Sequence, residues 1–258
     1  MELILTTYSN LAIIILGYMT LVFALSLLLK RNDIADIAWG LGFLICAFYS
    51  YLFLGDTFGR SLLVLFLVAM WAFRLFLHIL LRNKGKAEDP RYAQWRKDWG
   101  KWFVPRTFFQ VFILQGVLML AVVLPAVVSI LFGGEITALD YVGVAIWLIG
   151  FIFESLGDYQ LSQFIKNPNN KGKVLQTGLW RFTRHPNYFG EVTMWWGIWI
   201  IAISAPLAWL TVLGPVTITF LILFVSGIPL LENRKKGNPE FEEYKKHTSV
   251  FFPLPPKK

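Results

Sequence analysis

LILTTYSNLAIIILGYMTLVFALSLLL, residues 3–29, decides what kind of chain this is. These twenty-seven residues contain no charged side chain. As a helix, about 20 apolar residues cross the hydrocarbon core of a bilayer. Only Glu2 and no basic residue precedes the stretch, and it is too long for the apolar core of a signal peptide, so it reads as a retained first span. Six further apolar runs follow, at 34–54, 61–81, 108–132, 139–163, 188–204 and 207–230. The sixth is short. Only Ser204, Ala205 and Pro206 separate it from the seventh, which predicts a tight helical hairpin. The composition agrees, since 56% of the 258 residues are hydrophobic and 16% charged, against roughly 25% charged in a soluble domain. The expected fold is an all-α integral membrane protein, a seven-transmembrane-helix bundle, with one domain over 1–258. The lone Cys46 excludes a disulfide within the chain.

The net charge of +8 is explained by basic loops facing anionic lipid, with no nucleic-acid partner. Lys30 and Arg31 follow the first run, eight basic residues fill 82–106, five lie in 164–187 and seven follow 231. Thus 22 of the 24 basic residues fall on alternate loops, Arg60 sits alone on the other side, and Arg74 lies within a span. This asymmetry predicts the amino terminus outside and the carboxyl terminus in the cytosol.

The acids add to this picture. Asp33 and Asp36 open the second span, Glu154 and Asp158 close the fifth, Glu191 opens the sixth and Glu232 closes the seventh. With this topology all six approach the cytosolic face, and Arg74 leans the same way. Charges at membrane depth are costly unless they face protein or a wet cavity. A polar cavity open to the cytosol and walled by helix ends is therefore expected. Acids at helix N-termini, such as Asp33 and Glu191, also suit the helix dipole alone.

Ahead of the sixth span stands RFTRHPNYFGEVTMWWG, residues 181–197. Pro186 suits the first turn of a helix. Arg181, Arg184 and His185 thus gather before a helix N-terminus with free N–H groups, a setting that suits a phosphate. Lipid headgroups for the arginines and a capping role for His185 are the plainer readings. Asn187 and Tyr188 add hydrogen-bonding groups, and Glu191 can accept from a ribose or an amide. Glu154 and Asp158 share one helix face at i, i+4, and their repulsion calls for a compensating donor or proton. His78, His185 and His247 are scattered and no metal-ligand spacing occurs, so no metal is expected. Nor is there a nucleophile elbow, a soluble dinucleotide fingerprint or a phosphate-binding loop of the NTPase type. In 82–106, Trp95, Trp99 and Trp102 describe an interfacial amphipathic helix, and Glu88, Asp89, Arg91 and Tyr92 are candidates for a lid.

The blocks DIADIAWGLGF, EDPRYAQWRKDWG, FESLGDYQL, RHPNYFGE, SGIPLLE and EFEEYKKHTSVFFP together resemble the steroid 5α-reductase family, in particular its bacterial branch. The RHPNYFG core is also similar to blocks in isoprenylcysteine and phospholipid methyltransferases and in sterol reductases. The resemblance implies a seven-helix membrane bundle in a bacterial inner membrane. NADPH would enter from the cytosol, and the segment from about 108 to 258 would form the cofactor-binding core. It puts Asp158, Asn187 and Glu191 on the cofactor pocket, with Glu154, Arg181, Arg184, His185, Tyr188 and Glu232 around it.

The implied chemistry is 1,4-reduction of an α,β-unsaturated ketone of a steroid or other lipid-like substrate. Asp36, with Asp33, would engage the carbonyl, and Arg74 and Tyr92 would position it or supply a proton. The chain departs from the animal enzymes: Asp33 and Asp36 replace a Gln-Glu pair, and Trp71 replaces a tyrosine. The alternatives are an S-adenosylmethionine-dependent methyltransferase of prenyl or phospholipid substrates and a non-enzymatic lipid-binding protein. The expected partners are membrane lipids and a small lipid-like substrate, with no obligate protein partner.

Overall fold

The computed structural model describes residues 2–54 and 58–257. All named elements there are helical: α1 (Glu2–Leu29), α2 (Ile34–Leu54), α3 (Arg60–Asn83), α4 (Pro90–Trp99), α5 (Phe103–Thr107), α6 (Leu114–Val122), α7 (Leu124–Phe132), α8 (Ala138–Lys166), α9 (Pro186–Ala202), α10 (Leu213–Phe220), α11 (Ile228–Lys235) and α12 (Pro239–His247). Six helical stretches are long and apolar enough to cross a membrane: Glu2–Leu29, Ile34–Leu52, Arg60–Asn83, Tyr92–Val122, Ala138–Lys166 and Ala208–Lys235. The expected sixth span, 188–204, is α9, whose 17 residues fall short of that length. The expected 108–132 run is also not one rod. A continuous helical stretch ends at Val122, and α7 starts anew with Pro125 in its first turn.

The chain forms two compact units, one of residues 1–136 and 202–213, the other of residues 137–201 and 214–258. In the first, α1 shows the pattern of a lipid-facing helix. Leu11, Ile15 and Met19 are buried at intervals of four, while Ile13, Leu21 and Leu28 are exposed. Close crossings bind α1 to α6 at Gly116, beside Ile15 and Met19, and α2 to α3 at Gly40, beside Ala72. At the start of α3, Arg60 is buried. Its guanidinium donates to Gly133 O at 2.7 Å and Glu135 O at 3.1 Å, satisfying carbonyls of the turn that follows α7. Gly59, at φ 65, lies so near Gly134 that a Cβ would stand 2.4 Å from its carbonyl oxygen.

In the second unit, a capping box of Thr137 and Asp140 starts α8. This helix then packs antiparallel on α9 through glycines spaced by seven: Gly143, Gly150 and Gly157 on α8, Gly190 and Gly197 on α9. A Cβ on Gly150 would stand 2.6 Å from Gly190 O, one on Gly190 2.4 Å from Glu154 N, and one on Gly197 2.7 Å from Gly143 O. Here backbone meets backbone, the contact small residues permit between membrane helices. Gly190→Ala is expected to destabilise the detergent-solubilised protein by roughly 1–3 kcal/mol. Gly17→Ala in α1, where nothing lies within 4 Å of the new methyl, is expected to be neutral or mildly stabilising. Thermal melting followed by tryptophan fluorescence checks both.

Candidate functional site

The approach to α9 is pinned to α8. The Trp180 indole donates to Gly157 O at 3.1 Å, and the Gln160 side chain accepts from the Leu179 N–H at 3.0 Å. Pro186 then begins α9, as the proline rule predicted. Gly157 lies against Pro186 and the Asn187 amide nitrogen, and this brings Asn187 Nδ2 within 3.1 Å of Asp158 Oδ1. Glu154, one turn before Asp158, is buried beside Gly190, and Glu191 is half-buried on α9. Glu154 and Asp158 do not close their helix, which runs on to Lys166.

A second knot forms around Arg184, which is 9% exposed. Its Nε donates to Glu232 Oε1 at 2.8 Å, and its Nη1 donates to Thr248 O at 2.6 Å and Lys245 O at 3.4 Å. Two of its nitrogens are thus committed to α11 and to the last carbonyls of α12, away from any outside anion. Arg181 differs: it is exposed and without a side-chain partner among the described residues. The tail after α12 is stitched to the same block. Arg184 N donates to Ser249 O at 2.9 Å, Thr183 Oγ1 to Phe251 O at 2.8 Å and Leu254 N to Phe182 O at 3.0 Å. Tyr244 donates to Trp180 O, and burial pushes its phenol further up.

His185 Nε2 lies 3.1 Å from Glu232 Oε1, and its ring faces Tyr188 at 5.7 Å and 15°. Glu232 accepts from both neighbours, which assigns the ring proton to Nε2. Burial is the chief influence on this imidazole and lowers its pKa below 6.5. Glu232 opposes that shift, while Arg184 and Lys235 add to it. His185 is therefore neutral near pH 7.

In the other unit, Asp33 is buried and gripped by Arg31 through two hydrogen bonds of 3.0 and 2.8 Å. Arg31 also donates to Lys86 O at 2.9 Å. Glu88 accepts from Asn32 N at 2.8 Å and pairs with Arg96 at 3.3 Å, so the segment after α3 straps the turn between α1 and α2. Of the expected lid group, Glu88 serves as this strap, and the Arg91 side chain lies outside the described residues. Asp36 is half-buried in the first turn of α2, Arg74 half-buried in α3, and Tyr92 buried with its ring edge-on to Trp95 at 5.3 Å. Trp71 is buried edge-on to Phe43, which packs in turn on Trp39. The sequence reading did not find the tail's role. Its trace is the apolar run of Val250, Phe251, Phe252 and Leu254 in the closing segment.

A family described as "protein of unknown function (DUF1295)" matches residues 22–248. The chain belongs to this family, which is related to the steroid 5α-reductases. An uncharacterized protein of Schizosaccharomyces pombe is 25% identical over 227 residues, covering 75% of this chain and 63% of that protein. The 3-oxo-5-alpha-steroid 4-dehydrogenase 1 of Bos taurus is 29% identical over 112 residues, 43% of this chain and 40% of the enzyme. A probable O-methyltransferase of Ustilaginoidea virens is 40% identical over 65 residues, 24% of this chain and 22% of that protein. The matched segments thus span less than two thirds of each relative. No solved structure matches the chain.

Because His185 takes up a proton less readily folded than unfolded, its contribution favours the fold above about pH 6.5 and is lost as the pH falls through the lowered folded value. The melting temperature is expected to drop between pH 7 and 5, and less so in His185→Gln. Parallel pH profiles for the two proteins would assign the proton elsewhere. Arg184→Ala leaves Glu232 with His185 alone and the Lys245 and Thr248 carbonyls without this donor, and is expected to cost about 3–5 kcal/mol and to expose the tail to limited proteolysis.

Proposed function

We propose that this chain is a membrane-embedded, NADPH-dependent reductase of the C=C bond in an α,β-unsaturated ketone of a steroid or other lipid-like substrate. The observation that carries this reading is the Asp158–Asn187 pair, 3.1 Å apart at the end of the glycine seam. It occurs in a family related to the steroid 5α-reductases, whose members use NADPH. On this reading the chain crosses the membrane seven times, α9 included, with its carboxyl terminus in the cytosol and its basic loops on that side.

The residues fit such a cofactor. Asn187 and Asp158 set a donor beside an acceptor, as an amide or a ribose hydroxyl needs. Glu154 and Glu191 would add acceptors, Tyr188 a flat ring against His185, and the exposed Arg181 a cation for a phosphate. Arg184 and Glu232 would shape this wall from behind. When bound, NADPH supplies a hydride to the β-carbon of the substrate. Asp36 would hold a proton toward the carbonyl oxygen as negative charge develops there, and the α-carbon takes up a proton to complete the reduction. Asp33, held by Arg31, would act by fixing the start of α2. Arg74 and Tyr92 would orient the substrate.

The match to a probable O-methyltransferase over 65 residues favours a second reading, S-adenosylmethionine-dependent methyl transfer to a prenyl or phospholipid acceptor. Thermal shift in detergent with NADPH, NADH, S-adenosylmethionine and S-adenosylhomocysteine separates the two, because a ligand of the folded state raises the melting temperature by mass action. Stabilisation by NADPH alone is expected, and stabilisation by the adenosyl ligands alone would overturn the reductase. With an enone in hand, Asp36→Asn is expected to lower turnover on the order of a hundredfold while leaving NADPH affinity within about twofold. Equal loss of both would remove Asp36 from the chemistry.

A further inference from the structure

We infer that the helical run from α4 through α5, residues 90–107, is a binding surface for anionic phospholipid headgroups. Its cations are placed unlike those of α12. On α12, Lys245 pairs with Glu242 at 3.2 Å, and Lys246 and His247 pair with Glu243 at 2.6 and 3.0 Å, so that helix neutralises itself. Among the described side chains of 90–107, Arg96 has an acidic partner, Glu88, and its guanidinium also covers the Phe103 ring at 4.2 Å. Lys97, Lys101 and Arg106 are exposed, with no acidic partner among the described residues. The exposed acid of the run, Asp98, instead accepts from Gln94 at 2.8 Å.

The apolar side of the same run points to a bilayer. Trp95 and Trp99 stack at 5.0 Å and 13°, and Arg106 lies over Trp99 at 5.8 Å. Trp102 is 58% and Phe109 62% exposed. Indole rings and basic side chains at one level of a helix suit the headgroup boundary, where rings meet acyl chains and cations meet phosphate. The run also continues into the apolar stretch that ends at Val122, long and apolar enough to cross a membrane, and a membrane edge suits its cations. A free cytosolic anion would not need the aromatic residues. A phospholipid uses both.

The test titrates phosphatidylglycerol, phosphatidylcholine or inorganic phosphate into the full-length protein in a neutral detergent and reads the melting temperature. Phosphatidylglycerol is expected to stabilise the wild type well beyond phosphatidylcholine, and inorganic phosphate is expected to do nothing. Near an anionic surface each cation contributes roughly fivefold in affinity. The triple variant Lys97→Gln/Lys101→Gln/Arg106→Gln should therefore need about a hundredfold more phosphatidylglycerol for the same shift, while melting like the wild type without lipid. Lys246→Gln, which removes a cation already paired, should respond as the wild type does. Equal shifts by the two lipids, a full response in the triple variant, or an equal response to inorganic phosphate would each overturn the assignment.

Discussion

The contact between the backbones of α8 and α9 is the constraint on which the second unit depends. Between membrane helices the hydrophobic effect offers no net attraction, because lipid tails are as apolar as leucine. Association falls to close packing, and close packing needs a stripe with no side chains on both partners. Glycines every seven residues supply it, with Gly150 against Gly190 and Gly143 against Gly197. The next contact along, at Gly157, no longer meets a glycine. It meets Pro186 and Asn187, where α9 begins. The seam therefore ends in a polar side chain, and the Asp158–Asn187 bond is a direct result of where it stops. A methyl group at Gly190 would disturb that bond from one turn away by pushing the helices apart.

Arg184 closes the same unit from the other side. A buried guanidinium is tolerated only when its donors are met in geometry that offsets its desolvation. Glu232 gives it a carboxylate, and the end of α12 gives it carbonyls that the helix cannot satisfy internally. One side chain thereby joins the approach to α9, α11, α12 and the tail. This changes the chemical reading of the RFTRHP block. Of its two arginines, the inner one is a strut, and the exposed Arg181 carries the charge available to a ligand.

Much of this was legible in the sequence, and the rest was hidden for identifiable reasons. Spans show themselves as apolar runs because bilayer thickness sets their length, and the start of α9 was legible in Pro186 because only a helix's first turn tolerates the missing donor. The Asp158–Asn187 contact joins two blocks that stand out in the sequence, FESLGDYQL and RHPNYFGE. The role of Arg184 did not show, because a sequence displays a charge and not its partner, and here the partners lie about fifty and sixty residues away. The glycine seam lay in plain view in GVAIWLIGFIFESLG and GEVTMWWG, yet a search for charged and metal-binding patterns passes over it. The expected run over 139–163 nearly reaches the end of α8, but Glu154 and Asp158 were read as closing it because they looked like a polar terminus. They are instead two buried acids inside a helix that continues to Lys166.

Arg60 bears on how the chain sits in a membrane. It is the one basic residue outside the alternate loops that carry 22 others and apart from Arg74. It therefore weakens a charge-asymmetry argument if it is counted as a free cation. Its guanidinium is buried and bound to the carbonyls of Gly133 and Glu135, and its amide donates to Gly134 O at 3.1 Å. It ties down the turn that follows α7, a role indifferent to the side of the membrane. Lys97, Lys101 and Arg106, by contrast, are exposed and without acidic partners among the described residues, so in the proposed orientation they are free to respond to the anionic leaflet. The asymmetry that matters physically is that of cations not already neutralised within the protein. Counted that way, the exception disappears, and the proposed orientation with basic loops in the cytosol rests on a cleaner contrast than the raw sequence offers.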